Sequence, residues 1–218
     1  IYAILLIHIL SCLKKGDAFY AIGEYFDAAA EYKKAYTRTP SKEKEKRGER
    51  AWKMAECYRR INYTAKAMAA YQNAIRYKYQ DSMKVFYLAQ MQHKTGDYKN
   101  AEKNYQLFLD SVPDHKMAQI GLLGIKQAQK WKNNPTLHTV KRHSLFNGRR
   151  ADFSPVLTGD EWDEVFFTST RPQATGDELN GITGTKSADV FHSKRDDQGK
   201  WGQPELCEGE VNSEYEEG

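Results

Sequence analysis

The stretch GDYKNAEKNYQLFL, Gly96 to Leu109, has two earlier counterparts in the chain: GEYFDAAAEYKKAY from Gly23 and NYTAKAMAAYQNAI from Asn62. Lined up, four columns coincide. A turn residue (Gly23, Asn62, Gly96) comes first, an alanine follows five later (Ala28, Ala67, Ala101), a tyrosine nine later (Tyr32, Tyr71, Tyr105) and a small or apolar residue twelve later. Glycine and asparagine tolerate the positive φ of a tight turn between helices. The alanines then fall where two helices of a hairpin approach closely, and the tyrosines fill the space between hairpins. An ordinary helical bundle does not account for a fixed period.

The second and third copies are 34 residues apart, and the first two are 39 apart, with SKEKEKRG from Ser41 as the place for five extra residues. The period and the columns resemble tetratricopeptide repeats across about residues 14 to 113, with Pro40 and Pro113 at the helix-ending position. Tyr79 replaces the second of those prolines, and Asn62 and Thr64 stand in for the usual Gly and Tyr. A further run, KMAQIGLLGIKQAQKW, keeps helical apolar spacing without a second helix and reads as a terminal cap. The resemblance implies a curved solenoid whose first helices line a concave groove. On the second and third repeats the groove positions are Trp52, Glu56, Arg59, Phe86, Gln90 and His93, large and amphipathic side chains suited to an extended peptide or a partner helix. Each is equally explained as packing or solvated surface.

Charge divides the chain. From Leu13 to Asn134 there are 24 Lys/Arg against 13 Asp/Glu, and from Pro135 to Gly218 there are 9 against 16, an asymmetry hidden in the net +4. Nine of the fifteen glycines lie at or after Gly148. The basic residues are spread over helical faces with acids among them and no nucleic-acid-reading motif accompanies them, so nucleic acid is not expected as a partner. No run of apolar residues is long enough to span a bilayer as a helix.

The chain opens IYAILLIHILSC although its mean hydropathy is -0.79. Ten nearly unbroken apolar residues match the h-region of a secretion signal, and Ile9-Leu10-Ser11-Cys12 looks like the cleavage box of a bacterial lipoprotein, with Cys12 the lipidated residue. The alternative is an N-terminal helix packed on the next one. Lipidation implies tethering to a membrane by acyl chains. The stretch has no initiator Met and no basic n-region, so the chain is expected to begin inside its reading frame.

After Pro135 short β-rich runs appear: HTVKRHSLF, EVFFTST and ADVFHSK, broken by Gly, Asp and Asn. Phe153-Ser154-Pro155, the tip TGDEWDE, Val165 to Ser169 and Arg171 resemble a WD40-like blade of TolB-type propellers. Ser187 to Phe191 supplies the next strand, and Gly199-Lys200-Trp201 with Pro204 and Leu206 leads to the last. One blade cannot bury both faces alone, so more blades are expected beyond Gly218.

No catalytic constellation stands out. The tip acids Asp160, Glu161, Asp163 and Glu164 lack the spacing of a calcium loop and read as a solvated turn, and Asp177, Glu178 and Asn180 are discounted likewise. His138 and His143 are five apart on an expected strand and so point to opposite faces. Cys57 and Cys207 have no evident His partner, and no GxSxG, P-loop or GxGxxG occurs. No metal or cofactor is expected.

A lipobox, a tetratricopeptide solenoid, a linker and a WD40-like blade beginning DFSP, in that order, resemble the OmpA-family outer-membrane lipoproteins of Bacteroidetes-type bacteria, including those of the type IX secretion machinery. The closing VNSEYEEG fits the way such a first blade runs into the second. The resemblance implies an α + β multidomain chain: a partial signal peptide at 1–12, a TPR-like helical domain at 13–134, a linker or first strand at 135–150, and an incomplete first propeller blade at 151–218. It also implies a non-catalytic periplasmic scaffold at the outer membrane. Its partners would be proteins of a secretion or motility complex, and peptidoglycan through a C-terminal OmpA-like domain outside this sequence. Two rivals are a stand-alone periplasmic TPR lipoprotein that captures peptides during envelope assembly, and a TolB-like propeller fused to a hydrolase.

Overall fold

The computed structural model describes the chain except Ile1, Asp177, Glu214, Glu216 and Gly218, with residues 2–6 described by backbone alone. The described residues divide into two compact units, one of residues 1–138 with 181–183 and the other of 139–180 with 184–218. The first holds helices α1 (Tyr2–Ala21), α2 (Tyr25–Arg38), α3 (Lys44–Arg60), α4 (Thr64–Arg76), α5 (Met83–Lys94), α6 (Tyr98–Leu109) and α7 (Lys116–Asn133), each packed on the next along the chain.

The three sequence copies have the same backbone. Gly23, Asn62 and Gly96 all sit at positive φ, at 87°, 64° and 79°. At each, the turn residue's N–H donates three residues back and the following N–H five back: Gly23 to Tyr20 O and Glu24 to Phe19 O, Asn62 to Arg59 O and Tyr63 to Tyr58 O, Gly96 to His93 O and Asp97 to Gln92 O. This is the Schellman closure that satisfies the last carbonyls of a helix. Ala28, Ala67 and Ala101 are wholly buried, with Tyr32, Tyr71 and Tyr105 buried one turn on.

Two details of the chain's irregularities are set by local chemistry. Where Tyr79 takes the place of a helix-ending proline, α4 is stopped instead by Lys78 at φ 56°, with Lys78 N–H donating to Ile75 O and Tyr79 N–H to Ala74 O. The five extra residues placed after Ser41 lengthen a helix: α3 has 17 residues against 12 in α5. Lys and Glu are good helix formers and pair along one face, as Lys46 does with Glu43 at 2.7 Å. Arg47 and Arg50 also tie this added turn to Thr39 at the end of α2.

The second unit holds β1 (Asp152–Thr158), β2 (Glu164–Ser169), β3 (Asp189–Lys194) and β4 (Glu205–Leu206), an antiparallel meander in the order β1-β2-β3-β4. Phe167 is opposite Phe191, their rings 6.0 Å apart, and with Ala174 they form a small core that Phe146 and Leu206 flank. The β1 register shifts between Phe153 and Val156, where Ser154 is at φ 50° and Pro155 follows. β4 is short, and beyond it Asn212 takes over the edge of β3, accepting from Val190 N at 2.7 Å and donating to Val190 O at 3.1 Å. The run HTVKRHSLF forms no strand. Leu137 and Val140 are fully exposed, and His143 N instead donates to the Asn147 side chain in a turn.

Candidate partner-binding face

Trp52, Glu56 and Arg59, on successive turns of α3, converge on Tyr71 of α4. The Tyr71 hydroxyl donates to Glu56 Oε1 at 2.5 Å, and Arg59 closes a two-point ion pair on Glu56 at 2.7 and 3.2 Å. The Arg59 guanidinium lies 4.0 Å from the Tyr87 ring centroid, a cation–π contact. Trp52 stacks on Tyr79 at 5.5 Å and meets Tyr71 edge-on at 5.7 Å. Burial, together with the Glu56 carboxylate, pushes the Tyr71 phenol far above its ordinary value. Burial alone would lower Arg59, but Glu56 outweighs it and the guanidinium is held more firmly protonated.

The residues on α5 separate from this group. Phe86 is buried at 3% exposure among Phe108, His115 and Tyr105. His93 meets Tyr98 and Tyr105 edge-on, and Gln90, between Phe86 and His93 in sequence, is half-buried. Of the six positions, then, Glu56 and Phe86 are turned into the interior against the second helix of their own hairpin, while Trp52, Arg59, Gln90 and His93 keep part of their surface. The physical reason is register: a first helix must cover its own partner helix before it can line a groove. A cleft of about 570 Å³ opens beside the Trp52 stack, lined by Glu45, Glu49, Tyr77 and Tyr79.

An acid–tyrosine link, with only Glu56 among the six groove positions, repeats along the solenoid. Tyr32 donates to Asp17 at 2.7 Å over the same fifteen residues that separate Tyr71 from Glu56. Gln90 stands fifteen before Tyr105, so the signal was present as an acid, acid, amide column. Lys53 of the second hairpin reaches back to Asp17 at 2.8 Å and joins the two repeats.

In the sheet unit the half-buried Asp152 is the hub. Its carboxylate accepts from Arg171 Nη2 at 2.8 Å, Ser169 Oγ at 2.7 Å and Gly148 N at 2.7 Å. Burial pushes this carboxyl up, but those three donors outweigh it and hold it below the usual carboxylate range. The tip acids behave as a turn: Asp160 and Glu161 are exposed, while Glu164 pairs with Lys194 at 2.8 Å and His192 at 3.3 Å. Glu178 is exposed, and Asp177 lies outside the described residues.

Cys12 lies mid-way along α1, buried beside Ile9 and Ala35, and its sulfur accepts from Arg38 Nη1 at 3.0 Å. Burial pushes the Cys57 thiol up to about 12, which leaves it protonated at neutral pH. Among the described residues no three His, Cys, Asp or Glu side chains stand together as a metal site, and no helix is long and apolar enough to cross a membrane.

No protein-family model matches the chain, and no curated protein does. Among solved structures it is similar to the C-terminal TPR-containing domain of PFL2275c, a Plasmodium falciparum protein described as FK506-binding. The TM-score is 0.51 at 14% identity, over 60% of this chain and 93% of that one. The helical unit has a tetratricopeptide fold. Identity this low carries the fold and nothing further.

Proposed function

We propose that this chain is a non-catalytic docking protein of a bacterial envelope, a tetratricopeptide solenoid joined to the first blade of a WD40-like propeller. The observation that carries it is the sequence of architectures: a solenoid whose hairpins carry the Tyr32–Asp17 and Tyr71–Glu56 links, then a four-stranded antiparallel meander with DFSP at the β1 bulge. Half-buried Trp52, Arg59, Gln90 and His93 give the solenoid an aromatic and cationic surface of the kind that anchors peptides. The resemblance to OmpA-family lipoproteins, typified by PorE of the type IX secretion machinery, supports a scaffold held at the outer membrane by lipid on Cys12. In such a scaffold an OmpA-like domain elsewhere in the protein binds peptidoglycan and the described units hold partners of a secretion or motility complex.

The test is expression in a native host with labelled palmitate. The expected result is label on the wild type, its recovery with outer membranes, and release of Cys12→Ala into the soluble periplasm. Unlabelled protein, or a Cys12→Ala variant that still sediments with outer membranes, overturns lipid anchoring.

A second reading of the N-terminus is favoured by the burial of Cys12: α1 stays whole as the first helix of the first hairpin. Cleavage before Cys12 would give up the Ile9 contact with Ala35. Mass spectrometry of the N-terminal peptide separates the two readings.

A further inference from the structure

Three residues look back at the preceding hairpin's tyrosine from one register of successive first helices. Lys53 sits over the Tyr32 ring at 5.4 Å, Tyr87 packs on Tyr71 at 5.9 Å, and a Cβ on Gly121 would touch the Tyr105 ring at 2.6 Å. Each is 34 residues from the next, so α7 is the first helix of a fourth repeat and its residues map onto α5 and α3. Trp52 and Ala55 on α3, and Phe86 and Ala89 on α5, face the second helix of their own hairpin, and the last three are buried. Their counterparts on α7 are Ile120 and Leu123, which are 56% and 64% exposed.

Met117 and Trp131 extend that stripe and are also more than half exposed. The opposite face of α7, with Ala118, Gly121 and Ile125, is already buried. A terminal repeat ordinarily turns a polar face outward, and this one turns the large apolar Ile120 and Leu123 outward as well. Around the helix Lys116 and Gln127 stand between these two, and Lys130 stands next to Leu123. α7 carries exposed Lys116, Lys126, Lys130 and Lys132 and no acidic residue, and Lys126 and Lys130 fall on the flank of Leu123.

We infer that this face of α7 binds an amphipathic helix of a partner protein whose apolar stripe is flanked by Glu or Asp, seated where a fourth hairpin's second helix would lie. Leu123 occupies the column held by Gly16, Ala55 and Ala89, so the incoming helix presents Gly or Ala at the crossing. A second copy of this chain is disfavoured as occupant, because pairing α7 with itself sets lysines against lysines. The inference stands apart from lipid anchoring and from the α3–α5 surface.

The experiment measures fluorescence anisotropy of a labelled amphipathic peptide of about 18 residues, Leu and Ala on one face and Glu on its borders, against the same peptide with Lys for each Glu. The whole 218-residue chain is used. The Glu peptide is expected to bind about tenfold or more tighter than the Lys peptide at low salt. Ile120→Glu with Leu123→Glu, both on exposed positions, is expected to abolish binding while helicity by circular dichroism is kept. Lys126→Glu with Lys130→Glu is expected to invert the preference between the two peptides, which misfolding cannot do. Equal binding of the two peptides, or binding unaffected by the Ile120/Leu123 pair, overturns the inference. So does a dimer in sedimentation that the same pair dissolves, an outcome that gives the face to a second copy.

Discussion

Tyr71 and Glu56 are joined by a 2.5 Å hydrogen bond across the second hairpin, and the link recurs one repeat earlier between Tyr32 and Asp17. In the third hairpin the corresponding residue is Gln90, and among the described contacts the Tyr105 hydroxyl has no such acceptor. The repeat therefore conducts its own control experiment. Tyr71→Phe leaves a buried carboxylate short of a donor and is expected to cost about 1–3 kcal/mol. Tyr105→Phe is expected to stay within about 0.5 kcal/mol. Urea unfolding followed by circular dichroism compares the two; equal losses would show that the hydroxyl link contributes nothing.

Lys78 holds a left-handed conformation in order to end α4. A side chain there carries a backbone cost that glycine does not, on the order of 1 kcal/mol. Lys78→Gly is expected to raise the unfolding midpoint despite the greater freedom it gives the unfolded chain, and Lys78→Val to lower it. Thermal melts of the three proteins check the order.

Gly121 lets α7 approach the Tyr105 ring, and Gly16 does the same for α1 at Tyr32, where a Cβ would lie 2.7 Å from the ring. Gly121→Val forces that ring or the helix aside and is expected to destabilise the solenoid by about 1–3 kcal/mol. Hydrogen exchange should show the loss concentrated in α6 and α7. Protection unchanged in those helices would mean that the close approach is not needed.

The Asp152 carboxyl sits below its usual range because Arg171, Ser169 and Gly148 N–H favour the charged form over the effect of burial. A depressed folded-state value means that its stabilisation is complete above the unfolded value near ~3.9 and is lost as pH falls through the folded one. The sheet unit is expected to hold at pH 5 and loosen on acidification below about 4. Asp152→Asn leaves the half-buried Arg171 without its counter-ion, at a cost of about 1–3 kcal/mol at neutral pH, and flattens the acid dependence. Amide exchange in β2 across that range reads both effects.

The solenoid was legible because its rule is local and repeats. A glycine or asparagine, an alanine five on and a tyrosine nine on mark a turn, a crossing and a filler, and each column has one geometry in the structure. What escaped was non-local. Glu56 and Phe86 lie on the same helical face as residues that keep some surface, and only the packing of α4 and α6 decides which are covered. SKEKEKRG marks where five residues are added but not what they form, and its charges pair along a helix that Thr39 anchors from outside. HTVKRHSLF reads as one of the β-rich runs, but among the described residues no strand pairs with it. The Asp152–Arg171 hub joins residues nineteen apart across two strands, and no spacing rule announces it.

The bulge at Ser154 and Pro155 has a consequence for the fate of β1. This strand has β2 on one side and leaves Phe153, Val156 and Leu157 partly bare, the profile of a segment that recruits other chains into growing fibrils. Pro155 offers no amide to an incoming backbone, and the kink at Ser154 breaks the straight run that such recruitment needs. The residues that bend this strand thereby guard the sheet against polymerisation along its open edge.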